Sequence, residues 1–221
     1  MPAGSKAASL PCCRYRPVRE NKPETLDPAE NLRQEAFLFR TVKCPSFRIW
    51  QNQDSVILGR FLKADHEVRM KQAAMLGVPV LHRNSGGGAV FHDRGNINYS
   101  IYLPSAGLST GIEQSLRELS FPVIRLLEAL GLKWSWDPPN NVLVDGAKIS
   151  GSAQARSAGR VLHHGTLLVS TDLARMKLLL KPGGRSRIVP VANLSDIDST
   201  ITVGHATAIF HGILAGSVRT L

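Results

Sequence analysis

Two short stretches hold residues whose types and spacing could do chemistry. The first is RNSGGGAVFHD, residues 83–93. Arg83 and Ser85 lead into Gly86, Gly87 and Gly88, and Ala89, Val90 and Phe91 follow. Glycine loses more backbone freedom on folding than any other residue, so three in a row need a reason. A loop without Cβ atoms can turn sharply, admit a ligand against its backbone, or point its amides together at an anion. The second stretch is GAKISGSAQ, residues 146–154. Lys148 stands alone among small and apolar residues and is followed by Gly151, Ser152 and Ala153. Arg83 could meet a phosphate or acyl phosphate bidentately, with Lys148 as a mobile point charge. Each has a plainer reading, a surface hairpin for the glycines and a solvated edge charge for the lysine. No Walker A loop is present, and no GxGxxG opens a helix.

The flanking pattern supplies elements to hold these residues. Asp27 is placed to cap a helix over AENLRQEAFLFR. Strands are read at 47–52 and 55–59 around the polar turn QNQD, then at 78–83, 89–93 and 96–103, the last two joined by Arg94-Gly95. In the last of these, Ile97, Tyr99 and Ile101 alternate onto one face. A helix is read over 66–77. Apolar residues from Ile112 to Leu130 predict a longer helix over 111–131, with Pro122 able to bend it and Gly131 to end it. NVLVDG and AKISGSAQ read as two strands about Asp145-Gly146, followed by a strand at 160–170 and a short helix at 172–181. The pattern becomes hard to read from Pro182. Three hairpins and no regular βαβ rhythm predict an α+β fold, with a mixed or antiparallel sheet flanked by helices.

Composition narrows the setting. A chain of 221 residues with 43% apolar content can build a globular core. No apolar run reaches the roughly 20 residues of a membrane span, so no membrane association is expected. The net charge of +10 favours anionic partners. The basic residues are scattered and aromatics are few, which argues against nucleic acid. Three cysteines, Cys12, Cys13 and Cys44, without framework spacing favour a reducing compartment. Residues 1–25 lack the apolar core of a secretory signal and read as a flexible tail before one domain, 26–221. The expected location is the cytoplasm, or the mitochondrial matrix in a eukaryote.

Five stretches in order, WQNQDSVILGR, RNSGGGAVFHDRGNINYS, NNVLVDGAKISGSAQ, HHGTLLVSTDL and SRIVPVANLS, resemble the lipoate–protein ligase family across roughly residues 45–195. That resemblance implies a catalytic domain like the class II synthetase-related biotin ligases. It implies ATP-dependent activation of lipoate or octanoate and transfer to a lysine. The acceptors would be lipoyl domains of 2-oxoacid dehydrogenase E2 subunits or the glycine cleavage H protein. By resemblance, Arg83 contacts ATP phosphates and Lys148 bridges the phosphate and the acyl carbonyl. Ser85 through Ala89 form a wall, Val90 and Phe91 an apolar slot, and Asn96 stands near the nucleotide. Gly151, Ser152 and Ala153, together with His164, Gly165 and Thr166, complete the pocket.

Strand alternation allows only one of His163 and His164 to face that pocket. Neither histidine has a carboxylate or cysteine at metal-ligand spacing. His92 and Asp93 read as capping groups that orient the loop, Trp50 as core and Asn193 as structural.

The chain departs from the family pattern in three ways. Asn141 stands where the family often has an aspartate that helps hold Mg²⁺. His82 replaces one of two arginines before the glycines. The sequence leaves no room for a C-terminal accessory domain, so a separate accessory protein would have to supply that part, or the chain works differently. Related acyltransferases place a cysteine nucleophile about fifteen residues before the strand lysine; here GLKWSWDPP contains none. That favours the ligase over the transferase. A degenerate binder of lipoate or a lipoyl domain is the third reading.

Overall fold

The computed structural model describes residues 16–18, 25–105, 108–182 and 189–216. Most of the proposed 1–25 tail lies outside these residues, but Arg16–Pro17 form a short strand, β1. Helix α1 (Pro28–Thr41) starts where Asp27 Oδ1 accepts from the amides of Ala29, at 2.8 Å, and Glu30, at 3.4 Å. Strands β2 (Ser46–Trp50) and β3 (Ser55–Leu58), helices α2 (Ala64–Glu67) and α3 (Met70–Met75), and strands β4 (Val80–His82), β5 (Val90–His92) and β6 (Asn96–Pro104) follow. Then come α4 (Ile112–Leu119), α5 (Phe121–Ala129), β7 (Trp134–Asp137), β8 (Asn141–Val144), β9 (Ala147–Ser157) and β10 (Arg160–Leu168). The chain closes with α6 (Leu173–Leu179), α7 (Leu194–Ile197) and α8 (Val203–Leu214).

The strands form two sheets. Seven pair in the order β1-β2-β6-β10-β9-β8-β7, all antiparallel except β1 with β2. Three pair in the order β4-β3-β5, with β3 parallel to β4 and antiparallel to β5. The expected α+β class with helix-flanked mixed sheets is therefore present.

Two of the three expected hairpins are not hairpins. QNQD carries the chain from the large sheet to the small one, and Arg94-Gly95 carries it back. At the second crossing Asp93 accepts from the Gly95 amide at 2.9 Å and from the Asp172 amide at 2.7 Å. A Cβ on Gly95 would stand 2.2 Å from the Ser170 carbonyl oxygen, so only glycine fits that corner. Asp145-Gly146 does close a hairpin: φ is 49° at Asp145 and 76° at Gly146, as a primed turn requires.

Two helices also divide. The 111–131 span breaks at Ser120, and Pro122, which cannot donate an interior amide, sits in the first turn of α5 instead. The 66–77 span breaks at Val68, which turns aside to pair with Leu180.

The inner face of the large sheet packs Ile97, Tyr99 and Ile101 against Leu126 and Leu127 of α5 and Phe210 of α8. Helix α8, not foreseen in the sequence, thus supplies a wall of the main core. A second core lies under the small sheet, around Val56, Leu58, Phe91 and Leu179.

On the opposite face of the large sheet, strand register lines up Trp50, Asn98, Thr166, Gly151 and Asn141 across five strands. Four inter-strand steps of about 4.8 Å make this row roughly 19 Å long. A parallel row carries Arg48, Ser100, His164 and Ala153. His163, one residue along, faces the core, where its Nε2 lies 3.4 Å from the Tyr99 hydroxyl. The two adjacent histidines therefore divide between faces, as alternation requires.

Burial, then the neighbouring His164, pushes His163 down to about 3. In the unfolded chain it would titrate near 6.5, so the unfolded state takes the proton first and stability falls as pH drops below about 6.5. We expect His163→Asn to flatten the fall of melting temperature between pH 6.5 and 5. Some slope should remain, because His92 is also held at about 3, mainly by burial. An unchanged slope in the variant would contradict this assignment.

Candidate active site

A cavity of about 290 Å³ lies over the row from Trp50 to Asn141. Its sides are the glycine loop of the small sheet, Leu32 and Glu35 of α1, and the Pro138–Asn140 turn before β8. It is thus built where the two sheets and α1 meet.

The lead into the glycine loop is held by two backbone bonds to the end of β3 and the segment after it. The Arg83 amide donates to Leu58 O at 3.0 Å, and the Arg60 amide to Ser85 O at 2.8 Å. Just beyond them the loop rests on Gly59, where an added Cβ would come within 2.1 Å of the Gly87 carbonyl oxygen. Gly87 itself has φ of 91°, and a side chain there would meet Arg83 Nη2 at 2.8 Å. Gly86 faces open space. Of the glycines that opened the sequence question, Gly87 has no room for a side chain, and neither has Gly59 beneath it.

Arg83 is buried and spends donors on the loop and on β3: Nε on Ser85 Oγ at 3.0 Å, Nη2 on Gly86 O at 2.6 Å and Nη1 on Ile57 O at 3.3 Å. Arginine has five N–H groups, so two remain for a ligand. Burial lowers its pKa to about 10, opposed by Glu35. His82 turns away, its Nε2 at 3.0 Å from Leu62 O.

Lys148 is a cavity residue and not a solvated edge charge. Between β8 and β9 the pairing steps from Val142–Ser150 to Leu143–Lys148, leaving Ile149 as a bulge. The bulge breaks the alternation, so that Lys148 and Gly151, three apart, both face the cavity. The lysine lies directly across Gly151, where a Cβ would fall 2.6 Å from Nζ. Burial lowers its pKa, Arg83 lowers it further, and Asp137 opposes them. Its backbone is fixed by bonds to Pro190 and Ala192, which run into Asn193. Asn193 caps α7 and bonds both backbone groups of Thr171, so its role is structural, as expected.

Arg83, Gly87, Gly88, Ala89, Val90, Asn141, Ser152, Ala153, His164, Gly165 and Thr166 also line the cavity. Ser85, Gly86, Phe91 and Asn96 are not among its lining residues. Ser85 stands behind the wall, bonded to His164 at 2.6 Å. The Gly86 carbonyl turns to Arg83. Phe91 is packed in the second core, and Asn96 is buried beside Asn98 on the same face of β6, donating to Asn98 Oδ1 at 2.8 Å.

Sequence reasoning missed Glu35, Gly59, Asn98 and the cavity side of Trp50. The available signal was on α1, whose buried face carries Asn31 and Glu35 while Phe37 is exposed. The Glu35 carboxyl is held below its ordinary pKa. Burial opposes the charge, but His164, Ser100 and Arg48 outweigh it, and the net shift is downward.

Among the described residues, no cluster of three or more His, Cys, Asp or Glu could hold a metal by itself. Asn141 donates to Asp137 Oδ2 at 2.9 Å, which places one carboxylate and one amide at this end of the cavity.

The fold and the site define a protein with an elongated pocket, cationic at one end and walled by bare backbone. Residues 27–210 match the lipoyl protein ligase A/B catalytic domain, and the chain belongs to that family. It is 35% identical over 160 residues to the lipoate–protein ligase LplJ of Bacillus subtilis, which covers 68% of this chain and 47% of that protein. The chain therefore spans about half the length of this curated relative. Its fold matches the bi-partite lipoate protein ligase of Thermoplasma acidophilum, described together with its E2 lipoyl domain. There the TM-score is 0.79 at 26% identity, over 94% of this chain and 86% of that one. It also matches a lipoate–protein ligase A bound with ATP, with TM-score 0.78 at 26% identity over 92% and 86% of the two chains.

Gly59 and Gly86 have different requirements. Gly59→Ala should destabilise the fold by about 1–3 kcal/mol through overpacking against Gly87. Gly86→Ala should stay within about 0.5 kcal/mol of the parent. Chemical denaturation of both variants checks this, and equal losses would contradict the wall geometry.

Proposed function

We propose that this chain activates lipoate or octanoate with ATP and transfers the acyl group to a lysine of a partner protein. The supporting observation is Lys148, a half-buried lysine laid on Gly151 at one end of the cavity. The acid's carboxylate would sit there, and its chain would run across Thr166 and Asn98 toward Trp50. A carboxylate oxygen attacks the α-phosphorus of ATP and pyrophosphate leaves, giving the acyl-adenylate. Lys148 offsets the repulsion between the two anions. The acceptor amine then attacks the acyl carbon, loses a proton, and AMP leaves. The Lys148 ammonium, already in place, meets the oxyanion as it forms. The backbone wall from Gly87 to Ala89 lets the adenylate lie close while excluding water.

Mg²⁺ is proposed as the companion of ATP. It takes one or two protein oxygens and fills its remaining positions with water and phosphate oxygens. Asn141 Oδ1 and the Asp137 carboxylate would supply the protein share, and the ion would neutralise the departing pyrophosphate.

The acceptors that fit this reading are lipoyl domains of 2-oxoacid dehydrogenase E2 subunits or the glycine cleavage H protein. The net charge of +10 suits an acidic domain. A separate accessory protein is included in the proposal as a helper for activation. The setting is the cytoplasm, or the mitochondrial matrix in a eukaryote; among the described residues no helix is long and apolar enough to cross a membrane.

The rival acyltransferase needs a thiol to carry the acyl group. No cysteine is among the residues lining the cavity, and Cys44 is exposed. The ligase reading is therefore preferred.

Pyrophosphate release with lipoate and ATP, followed by mass spectrometry of an acceptor lipoyl domain, tests it, with and without a candidate accessory protein. Transfer from an octanoyl carrier without ATP would instead favour the acyltransferase, and absence of any modification would favour a binder. Lys148→Ala should lower adenylate formation by about 10²–10³-fold with the melting curve retained. Full activity in that variant would refute the assignment.

A further inference from the structure

We propose that Glu35 is a positioning residue for the glycine wall, acting through His164 and Ser85 on Arg83. Its purpose rests on the acyl-activation reading, but its geometry does not. The chain of contacts is short and continuous. Glu35 Oε1 lies 2.8 Å from His164 Nδ1, and His164 Nε2 lies 2.6 Å from Ser85 Oγ. Ser85 Oγ accepts from Arg83 Nε at 3.0 Å, and Arg83 Nη2 donates to Gly86 O at 2.6 Å. The side chains of Glu35, His164, Ser85 and Arg83 are all buried, so a lost partner leaves a polar group poorly satisfied, and each link constrains the next.

An ionised carboxylate can only accept. His164 must therefore carry its hydrogen on Nδ1, whichever protonation state it holds, and its ring is fixed in orientation. Ser100 Oγ donates to the same Oε1 at 2.6 Å, and Trp50 Nε1 donates to Ser100 Oγ at 3.0 Å. Glu35 is thereby tied to the cavity floor on one side and to the loop on the other. The relay joins three elements from separate parts of the chain: α1, β10 and the loop between β4 and β5. Without it, Arg83 keeps only backbone carbonyls of its own sheet, Ile57 O and Gly86 O. The small sheet would then hold the wall with no polar tie to the large sheet through this path.

Glu35 and His164 line the cavity, whereas Ser85 does not. An acyl group resting against the first two therefore presses on residues that set the loop. This makes Glu35 the residue through which the fit of the acyl end reaches the wall at the activated end.

The test is amide hydrogen exchange followed by mass spectrometry on the full chain, with Glu35→Leu, Glu35→Gln, Ser85→Ala and the double variant Glu35→Leu with Ser85→Ala. No substrate is added, so the result stands apart from the outcome of the ligase assay. We expect peptides covering 83–91 to exchange about tenfold faster in Glu35→Leu and in Ser85→Ala, while α5 peptides stay unchanged. Glu35→Gln, which retains an acceptor oxygen, should restore most of the protection. The double variant should exchange no faster than the single ones, because both cut one path.

Unchanged exchange at 83–91 in a folded Glu35→Leu protein would overturn the proposal. So would additive effects in the double variant, which would mark two independent structural losses. If Glu35→Leu fails to fold, Ser85→Ala decides: faster exchange at 83–91 with exchange at α1 unchanged supports the relay, and no change refutes it.

Discussion

A lysine ammonium removed from water is costly unless an anion meets it. At Lys148, half-buried in the cavity, the protein accepts part of that cost. Burial and the nearby Arg83 both press the ammonium toward losing its proton, and Asp137 opposes them. The bulge at Ile149 and the bare Cα of Gly151 exist to hold the lysine in this position. Much of the remaining architecture follows from giving that charge a confined neighbour. The large sheet provides a long floor, and the small sheet provides a wall thin enough to approach.

That division of labour explains why two sheets are needed. The floor carries Trp50, Asn98 and Thr166 as a rigid row set by strand register. The wall cannot come from the same sheet, because neighbouring strands lie side by side and not face to face. The crossings at QNQD and Arg94-Gly95 move the chain to a second layer and back. Gly59 is where the second layer packs closely on its own loop, Gly95 is where the returning chain meets Ser170, and both exclude a Cβ.

Local chemistry was legible in the sequence, and long-range pairing was not. Glycines in a row and a lysine among small residues state their constraints within ten positions. Asp27 as a cap and Asp145-Gly146 as a hairpin likewise depend only on neighbours, and both are as expected. The same turn signals at QNQD and Arg94-Gly95 misled, because a polar turn fixes a change of direction without fixing which strand the next one joins. Glu35 lies 129 positions from His164, and helix periodicity treats a buried glutamate as an ordinary surface charge. Lys148 and Gly151 facing together contradict simple alternation, and only the bulge reconciles them.

The family resemblance carried the order of the motifs, and the geometry adds how they cooperate. Arg83, expected to meet phosphate, is first of all a clamp on its own loop, with two hydrogens to spare. The direct measurement of the central claim is a crystal structure with a non-hydrolysable acyl-adenylate analogue. The account predicts the acyl carbonyl and phosphate oxygens within hydrogen-bond distance of Lys148 Nζ, with the chain lying over Thr166 and Asn98 against the Gly87–Ala89 backbone. An analogue bound elsewhere, with the ammonium turned out to solvent, would contradict it.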